Sequence, residues 1–161
     1  MQKAGIGLAL VALTLTLQTQ GARAQAAPGE RSLGIALGVL IPTGSFSQVS
    51  NPGPSIALVS ERRLSERFSF AAQGAVGFVS SASDGPTATV PWIRVGGRYH
   101  LGPFFVGADV GFFFGSDLPD ELDLLPVAGW QSGRFEVSAD ARLFGEARWF
   151  EMQVGYHLAR F

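Results

Sequence analysis

Residues 148–161 read RWFEMQVGYHLARF. Apolar and polar side chains alternate along it up to an aromatic residue, Phe161. A period of two residues is typical of a β-strand with one apolar and one polar face, because successive side chains in a strand point to opposite sides. The stretch therefore predicts an amphipathic strand, and the same period recurs along most of the chain.

The recurring alternation predicts an all-β chain of eight antiparallel strands separated by turn residues. The predicted strands cover residues 32–40, 55–63, 67–79, 89–101, 104–114, 122–131, 134–144 and 148–160. In the first of them, bulky apolar residues such as Leu33 and Leu37 alternate with small residues such as Gly34 and Ala36. The sixth predicted strand contains Pro126, and its alternation allows either of its two faces to be the apolar one. Eight such strands in up-and-down order suit a small closed β-barrel.

The beginning of the chain predicts export. Lys3 precedes an apolar run over residues 4–17, which is shorter than the roughly 20 residues that a spanning helix needs. Small residues then follow, and cleavage after Ala24 or after Ala26 fits the usual Ala-x-Ala pattern. We therefore expect residues 1–26 to be a secretory signal peptide.

Composition limits what the remaining chain, residues 27–161, can be. Its length suits one domain. The sequence contains no cysteine, so it has neither a disulfide nor a lipoprotein anchor site, and a net charge of -1 lacks the basic excess of a nucleic-acid-binding protein. We expect one barrel domain with no nucleic-acid partner.

The two faces of the predicted strands can be assigned by bulk and charge. A soluble barrel of the lipocalin type also alternates, but it would have to fit the many Phe, Leu, Ile and Val side chains of the apolar phase inside a narrow interior. The opposite phase is rich in Gly, Ala and Ser and too poor in charge for a water-facing surface. We therefore predict that the apolar phase faces lipid and that the barrel is transmembrane.

The connections between strands support this interpretation, since membrane barrels alternate short turns with longer outer loops. The longer predicted connections are 41–54, 80–88 and 115–121. The tight ones are 64–66, 102–103 and 132–133, and the seventh, 145–147, is short where a longer loop is expected. The residues Trp92, Trp130, Trp149, Tyr99 and Tyr156 all lie toward strand ends, where an aromatic girdle would place them.

The chain resembles the small eight-stranded outer-membrane β-barrel proteins. The run Pro42-Thr43-Gly44-Ser45-Phe46, followed by Asn51-Pro52-Gly53, looks like the first outer loop of one branch of that family. The resemblance implies a location in a bacterial outer membrane, contact with its lipid and lipopolysaccharide, and biogenesis through periplasmic chaperones and the barrel-assembly machinery.

The family's assembly signal has its closest match in the last strand, at Gly155, Tyr156, Leu158 and Phe161. Leu158 fits the family's spacing after Gly155, but Arg160 takes the next apolar position and Phe161 falls one residue later. This departure suggests a bulge in the last strand.

The predicted phase points seven charged residues into the barrel. They are Arg94, Arg98, Asp109, Glu136, Asp140, Arg142 and Glu151. Buried charges persist when they are paired, so we expect a structural ion-pair network that fills the lumen. The alternative use of the same residues is a gated pore or a proton path.

Motifs for catalysis or metal binding are missing from the predicted strands. Some small outer-membrane barrels modify lipid A, but His100 and His157 lack the His-x-Ser pairing that would supply a base and a nucleophile. We expect both histidines to be polar residues at the barrel rim. The acidic segment 117–123 does not match a calcium loop, and no metal-ligand spacing occurs.

These observations predict a non-enzymatic outer-membrane protein with an envelope structural or surface-interaction role and no cofactor. The alternatives are a narrow channel for ions or small solutes and a lipid-modifying enzyme. An extracellular partner is not identifiable from the sequence. Phe46 in the first loop has two possible positions, either exposed for recognition or packed against the barrel rim.

Overall fold

The computed structural model describes residues 27–82, 85, 87–115, 118–144 and 148–161. The signal peptide predicted over residues 1–26 lies outside these residues and stays a prediction. The strands are β1 (Arg31–Thr43), β2 (Gly53–Arg63), β3 (Phe68–Val79), β4 (Ala88–Leu101), β5 (Phe104–Gly115), β6 (Leu118–Ser132), β7 (Phe135–Arg142) and β8 (Arg148–Arg160), with one 3-10 helix, Gly44–Gln48.

The eight strands form one closed barrel. Each strand pairs antiparallel with the next along the chain, and β1 pairs with β8 to close the sheet. The predicted all-β, eight-stranded, antiparallel up-and-down barrel is confirmed. Closure leaves no unpaired sheet edge. Among the described residues, no helix is long and apolar enough to cross a membrane.

A bulge interrupts the seam between β1 and β8. Leu33 lies opposite Ala159, but the next residue, Gly34, lies opposite His157, so Leu158 is the extra residue. The bulge expected in the last strand is therefore present. It shifts the alternation by one, which leaves Phe161 71% exposed while its backbone exchanges two hydrogen bonds with Arg31.

The apolar phase lies on the outside of the barrel. In β1 the outward residues Leu33 and Leu37 are 37% and 61% exposed, whereas Ala36 between them is 3% exposed. The phase of β6, which the sequence left open, places Asp123 inside and Pro126 outside. Proline cannot donate to a sheet ladder, and the pairing of β6 with β7 begins one residue later, at Val127.

The two ends of the barrel differ in their connections. At the end that carries Arg31 and Phe161, called here the terminus-side end, the connections are the short segments 64–67, 102–103 and 133–134. Gly102 and Gly133 turn the chain there with φ of 65° and 55°. At the opposite end, called here the loop-side end, the connections are 44–52, 80–87, 116–117 and 143–147.

The predicted long connection over residues 115–121 is wrong. β5 and β6 extend to Gly115 and Leu118, which pair with each other after a register shift beyond Phe113. Turn-forming and acidic residues marked the segment as a loop, but β5 runs to Gly115 and β6 begins at Leu118. In contrast, β7 ends at Arg142, two residues before its predicted end.

Candidate functional site

The barrel interior holds the charged residues that the sequence singled out, and its loop-side end is closed by apolar side chains. We call this group the aromatic plug. It consists of Leu40, Val79, Val90, Trp92, Phe113, Leu125 and Trp149, each no more than 2% exposed. Phe46 of the 3-10 helix packs against it, with its ring centroid 6.1 Å from that of Trp149. Of the two positions considered for Phe46, the structure shows packing against the barrel.

The plug is held by ring contacts from three strands. The ring of Phe113 lies edge-on to Trp149 at 5.1 Å between centroids, and Trp92 lies 6.2 Å from Phe113. The guanidinium of Arg142 sits 4.4 Å from the centre of the Phe113 ring, which is a cation–π distance. The interior is therefore packed shut at this end.

Two of the tryptophans predicted for the aromatic girdle belong to the plug instead. Trp92 and Trp149 are 1% and 2% exposed and point inward, because they share the strand phase of Arg94 and Glu151. Of the other predicted girdle members, Tyr156 is 37% exposed on the outer face. Trp130 and Tyr99 are half-buried.

A central charge cluster lies between the two ends of the barrel, and Arg94 is its hub. The guanidinium of Arg94 lies 2.7 Å from Asp140, 3.5 Å from Asp109 and 3.8 Å from Glu151. It also donates two hydrogen bonds to the side-chain oxygen of Gln73, at 2.9 and 2.6 Å. Three carboxylates from β5, β7 and β8 thus share one arginine from β4.

The other predicted lumen residues form two further pairs. Arg98 contacts Glu136 at 2.9 Å. Arg142 contacts Asp123 at 2.7 Å, a partner that the sequence did not indicate because the phase of the sixth strand was left open. All seven residues predicted for the lumen are buried, with exposures between 1% and 6%: Arg94, Arg98, Asp109, Glu136, Asp140, Arg142 and Glu151.

A further polar group lies near the terminus-side end, and we call it the terminus-side cluster. It comprises Glu61, Glu136, His157, His100 and Gln131. One ligand atom from each of Glu61, Glu136 and His157 lies within 4.8 Å of the other two. Gln131 donates to Glu61 at 3.2 Å, and its side-chain nitrogen lies 2.9 Å from His157 Nε2. The sequence did not indicate Glu61 because β2 alternates less cleanly than β3 or β7, although strand phase was the signal that could have found it. Gln131 lies on β6, whose phase the sequence left open.

The histidines are not rim residues. His100 and His157 lie near the terminus-side end, but they are 4% and 3% exposed inside the barrel, so the expected placement on the rim itself is wrong. His100 Nε2 lies 2.9 Å from the Ser69 hydroxyl and 3.2 Å from a Glu61 oxygen. A catalytic triad places serine and carboxylate on opposite ring nitrogens, whereas here both approach Nε2. The group is therefore not arranged as a Ser-His-Glu triad.

The residues of the predicted assembly signal lie along the closing strand. Tyr156, Leu158 and Phe161 are exposed on the outer face at 37%, 51% and 71%, and Gly155 lies opposite Ala36 across the seam. The acidic segment 117–123 lies only partly within the described residues. Asp117 lies outside the described residues, whereas Asp123 points into the barrel and pairs with Arg142.

Comparison with known proteins assigns the chain to no family. No protein-family model matches the chain, and the search of the curated proteins found no similar sequence. The class of protein is therefore defined by its fold and interior: a closed, eight-stranded antiparallel β-barrel with an apolar outer wall, a charged interior and an aromatic plug at one end.

Proposed function

We propose that this chain is an integral outer-membrane β-barrel protein of a Gram-negative type envelope, without enzymatic activity, and with a structural or surface-interaction role. Its export would depend on the predicted signal peptide. Lipid and lipopolysaccharide would surround the wall, and periplasmic chaperones and the barrel-assembly machinery would act during its insertion.

The apolar outer wall carries this proposal. Midway along their strands, Leu37, Ile93 and Val154 are 61%, 56% and 57% exposed, and the same outward pattern recurs on neighbouring strands. Soluble monomers rarely expose contiguous apolar patches above a few hundred Å². A lipid environment would cover such a wall, and the closed ladder would satisfy the backbone hydrogen bonds inside it.

The interior supports a role other than carrying an apolar ligand. A lipocalin-like binder would need an apolar cavity inside the barrel, but the middle of this interior contains the Arg94 cluster and its loop-side end contains the plug. The functional surface would therefore lie on the loop-side connections, of which 44–52 contains the anchored 3-10 helix.

The charged interior also favours a second candidate, a narrow channel for ions or small solutes. The polar side chains extend from the Arg94 cluster to the terminus-side cluster, as a conducting path would require. The plug opposes conduction, because Trp92, Phe113 and Trp149 occupy the space at the loop-side end. We therefore place the structural role first.

Two measurements test the proposal and separate these candidates. Electrophoresis of the detergent-refolded protein should show a faster band without heating than after boiling, because a closed barrel resists detergent. Planar bilayer recordings should then show no reproducible conductance. A protein that stays soluble without detergent would contradict the membrane assignment. Steady conductance that changes on substituting Arg98 or Asp140 would instead establish the channel.

A further inference from the structure

Three strands bring metal-ligating side chains together near the terminus-side end. Glu61 comes from β2, Glu136 from β7 and His157 from β8, and each lies within a few residues of the end of its strand. Their exposures are 4%, 6% and 3%, and one ligand atom from each lies within 4.8 Å of the others. The three residues thus converge inside the barrel but close to its mouth.

The orientation of Gln131 determines which atom of His157 carries a lone pair. The Gln131 side-chain oxygen accepts a hydrogen bond from Arg63 at 3.2 Å, so the amide nitrogen is the atom that faces the cluster. That nitrogen donates to Glu61 Oε2 at 3.2 Å and lies 2.9 Å from His157 Nε2. Because an amide nitrogen only donates, His157 Nε2 must be the acceptor.

An acceptor on Glu136 faces this same nitrogen. Glu136 Oε2 lies 3.4 Å from His157 Nε2 and has no hydrogen-bond partner, while Arg98 holds the other oxygen of Glu136 at 2.9 Å. Glu61 Oε1 likewise has no hydrogen bond, although it lies 3.2 Å from His100 Nε2. Two buried carboxylate oxygens thus lack a hydrogen-bond donor, and burial of such acceptors is costly unless a cation balances them.

The space beside these atoms is small. A cavity of about 10 Å³ is lined by two of the three residues, Glu136 and His157, together with Ser138 and Ala36, whereas Glu61 does not line it. That volume is close to the minimum for one water molecule, and therefore suits a single ion better than an organic ligand.

We propose that Glu61, Glu136 and His157 form a binding site for one divalent transition-metal cation of the zinc type. A neutral imidazole nitrogen with two carboxylate oxygens is a donor set that Zn²⁺ accepts, at distances of about 2.0–2.2 Å. The side chains must therefore close slightly around the ion. Gln131 acts as the positioning residue for Glu61, whose Oε2 accepts its hydrogen bond, and its contact with His157 Nε2 gives way to the ion. The proposal rests on the interior geometry and does not depend on the membrane assignment.

A proton is the competing occupant. Protonation of His157 Nε2 would supply an N–H donor near Glu136 Oε2, at 3.4 Å. The amide nitrogen of Gln131, which is also a donor, lies only 2.9 Å from the same Nε2, so the two donors would repel. A metal ion avoids that conflict only if Gln131 releases His157 and keeps its bond to Glu61. Arg98 remains on Glu136 Oε1, so the ion shares this carboxylate with a cation and we expect weaker binding than in a site without the arginine.

Calorimetric titration of the purified, folded protein with ZnCl₂ tests the site. The protein is expressed from its full sequence, and wild type is compared with His157→Gln and Ser55→Ala. We expect one bound zinc in wild type, at least about a tenfold loss of affinity in His157→Gln, and a change of less than about threefold in Ser55→Ala. Ser55 is the matched control, since it is 3% exposed on the same strand as Glu61 but donates to Glu151 and touches none of the proposed ligands.

Three results would overturn the proposal: no zinc binding by wild type, unchanged binding by His157→Gln, or equal losses in both variants. If His157→Gln does not fold, zinc-edge X-ray absorption of the loaded wild type decides the question without a variant. We predict one imidazole nitrogen and oxygen ligands around the metal. A shell with two imidazoles, or with oxygen alone, would contradict the assigned residues.

Discussion

The two halves of the barrel interior are closed by different physical means. At the loop-side end, the aromatic plug excludes water by packing, and its members are almost completely buried. Toward the terminus-side end the interior is filled by charges, and several buried atoms there have no hydrogen bond, including Arg63 Nε, Glu136 Oε2 and His157 Nδ1. One half is therefore specialised for closure, and the other retains groups that can bind a cation.

The two halves should also differ in how a substitution lowers the free energy of unfolding. Loss of a plug side chain leaves a cavity, and the cost depends on how far the neighbours collapse. Loss of one member of a buried ion pair leaves an uncompensated charge, which is usually more expensive than losing the whole pair. Substitutions in the two halves should consequently differ in how much they lower the free energy of unfolding and in which other measured properties they alter.

The largest effect is expected from Arg94→Met in the central charge cluster. It would leave Asp109, Asp140 and Glu151 facing one another without their shared cation. We expect the free energy of unfolding to fall by about 3–5 kcal/mol. Urea unfolding of the refolded protein measures this loss. Arg62→Met, on the outer face of β2, is the matched control and should unfold with wild-type stability.

Trp149→Ala should open the plug at a somewhat smaller cost. Trp149 is 2% exposed and contacts Phe113 and Trp92. We expect a loss of about 3 kcal/mol, because Phe46 can settle partly into the cavity. In bilayers this variant should show more brief current events than wild type. Unaltered stability and complete electrical silence would mean that the plug does not close this end.

An apolar wall encloses both halves of the interior. Comparing Leu37→Arg with Ala36→Ser tests whether this wall faces lipid. Leu37 is 61% exposed on the wall, whereas Ala36 faces the interior at 3%. An arginine near the membrane midplane should cost about 2–4 kcal/mol and reduce insertion, while the serine should be tolerated. Folding yield in lipid vesicles measures both. Equal tolerance at the two positions would contradict a lipid-facing wall.

The smallest effect concerns the contact between the first loop and the plug. Phe46→Ala removes the ring that packs on Trp149 and should lower the free energy of unfolding by about 1 kcal/mol. Val49→Ala, in the same connection but 60% exposed, should have no measurable effect. If the two variants were equally stable, Phe46 would be a surface residue, available to a partner, and not an anchor for the loop.

Local alternation predicted the barrel well, because the period of two residues is a property of each strand by itself. It therefore also located Arg94, Asp140 and Glu151 on the inward phase before any pairing was known. Trp92 and Trp149 were misplaced because nearness to a strand end was given more weight than the phase that they share with Arg94 and Glu151.

Relations between strands could not be predicted in the same way. The pairing of Arg142 with Asp123 depends on the register of two different strands. The approach of Glu61 to Glu136 and His157 depends on closure of the barrel, which places β8 and β7 two and three strands away from β2. No spacing along the chain encodes these distances, so a search for metal-ligand motifs could not find the terminus-side cluster.

Spin labels on single-cysteine variants test whether the apolar wall faces lipid. The chain has no cysteine of its own, so Leu37→Cys on the wall and Val49→Cys in the first loop each give one labelling site. In vesicles, the label at position 37 should collide readily with oxygen and rarely with a water-soluble nickel chelate, and the label at 49 should do the reverse. Equal contact with the nickel chelate at both positions would contradict the account.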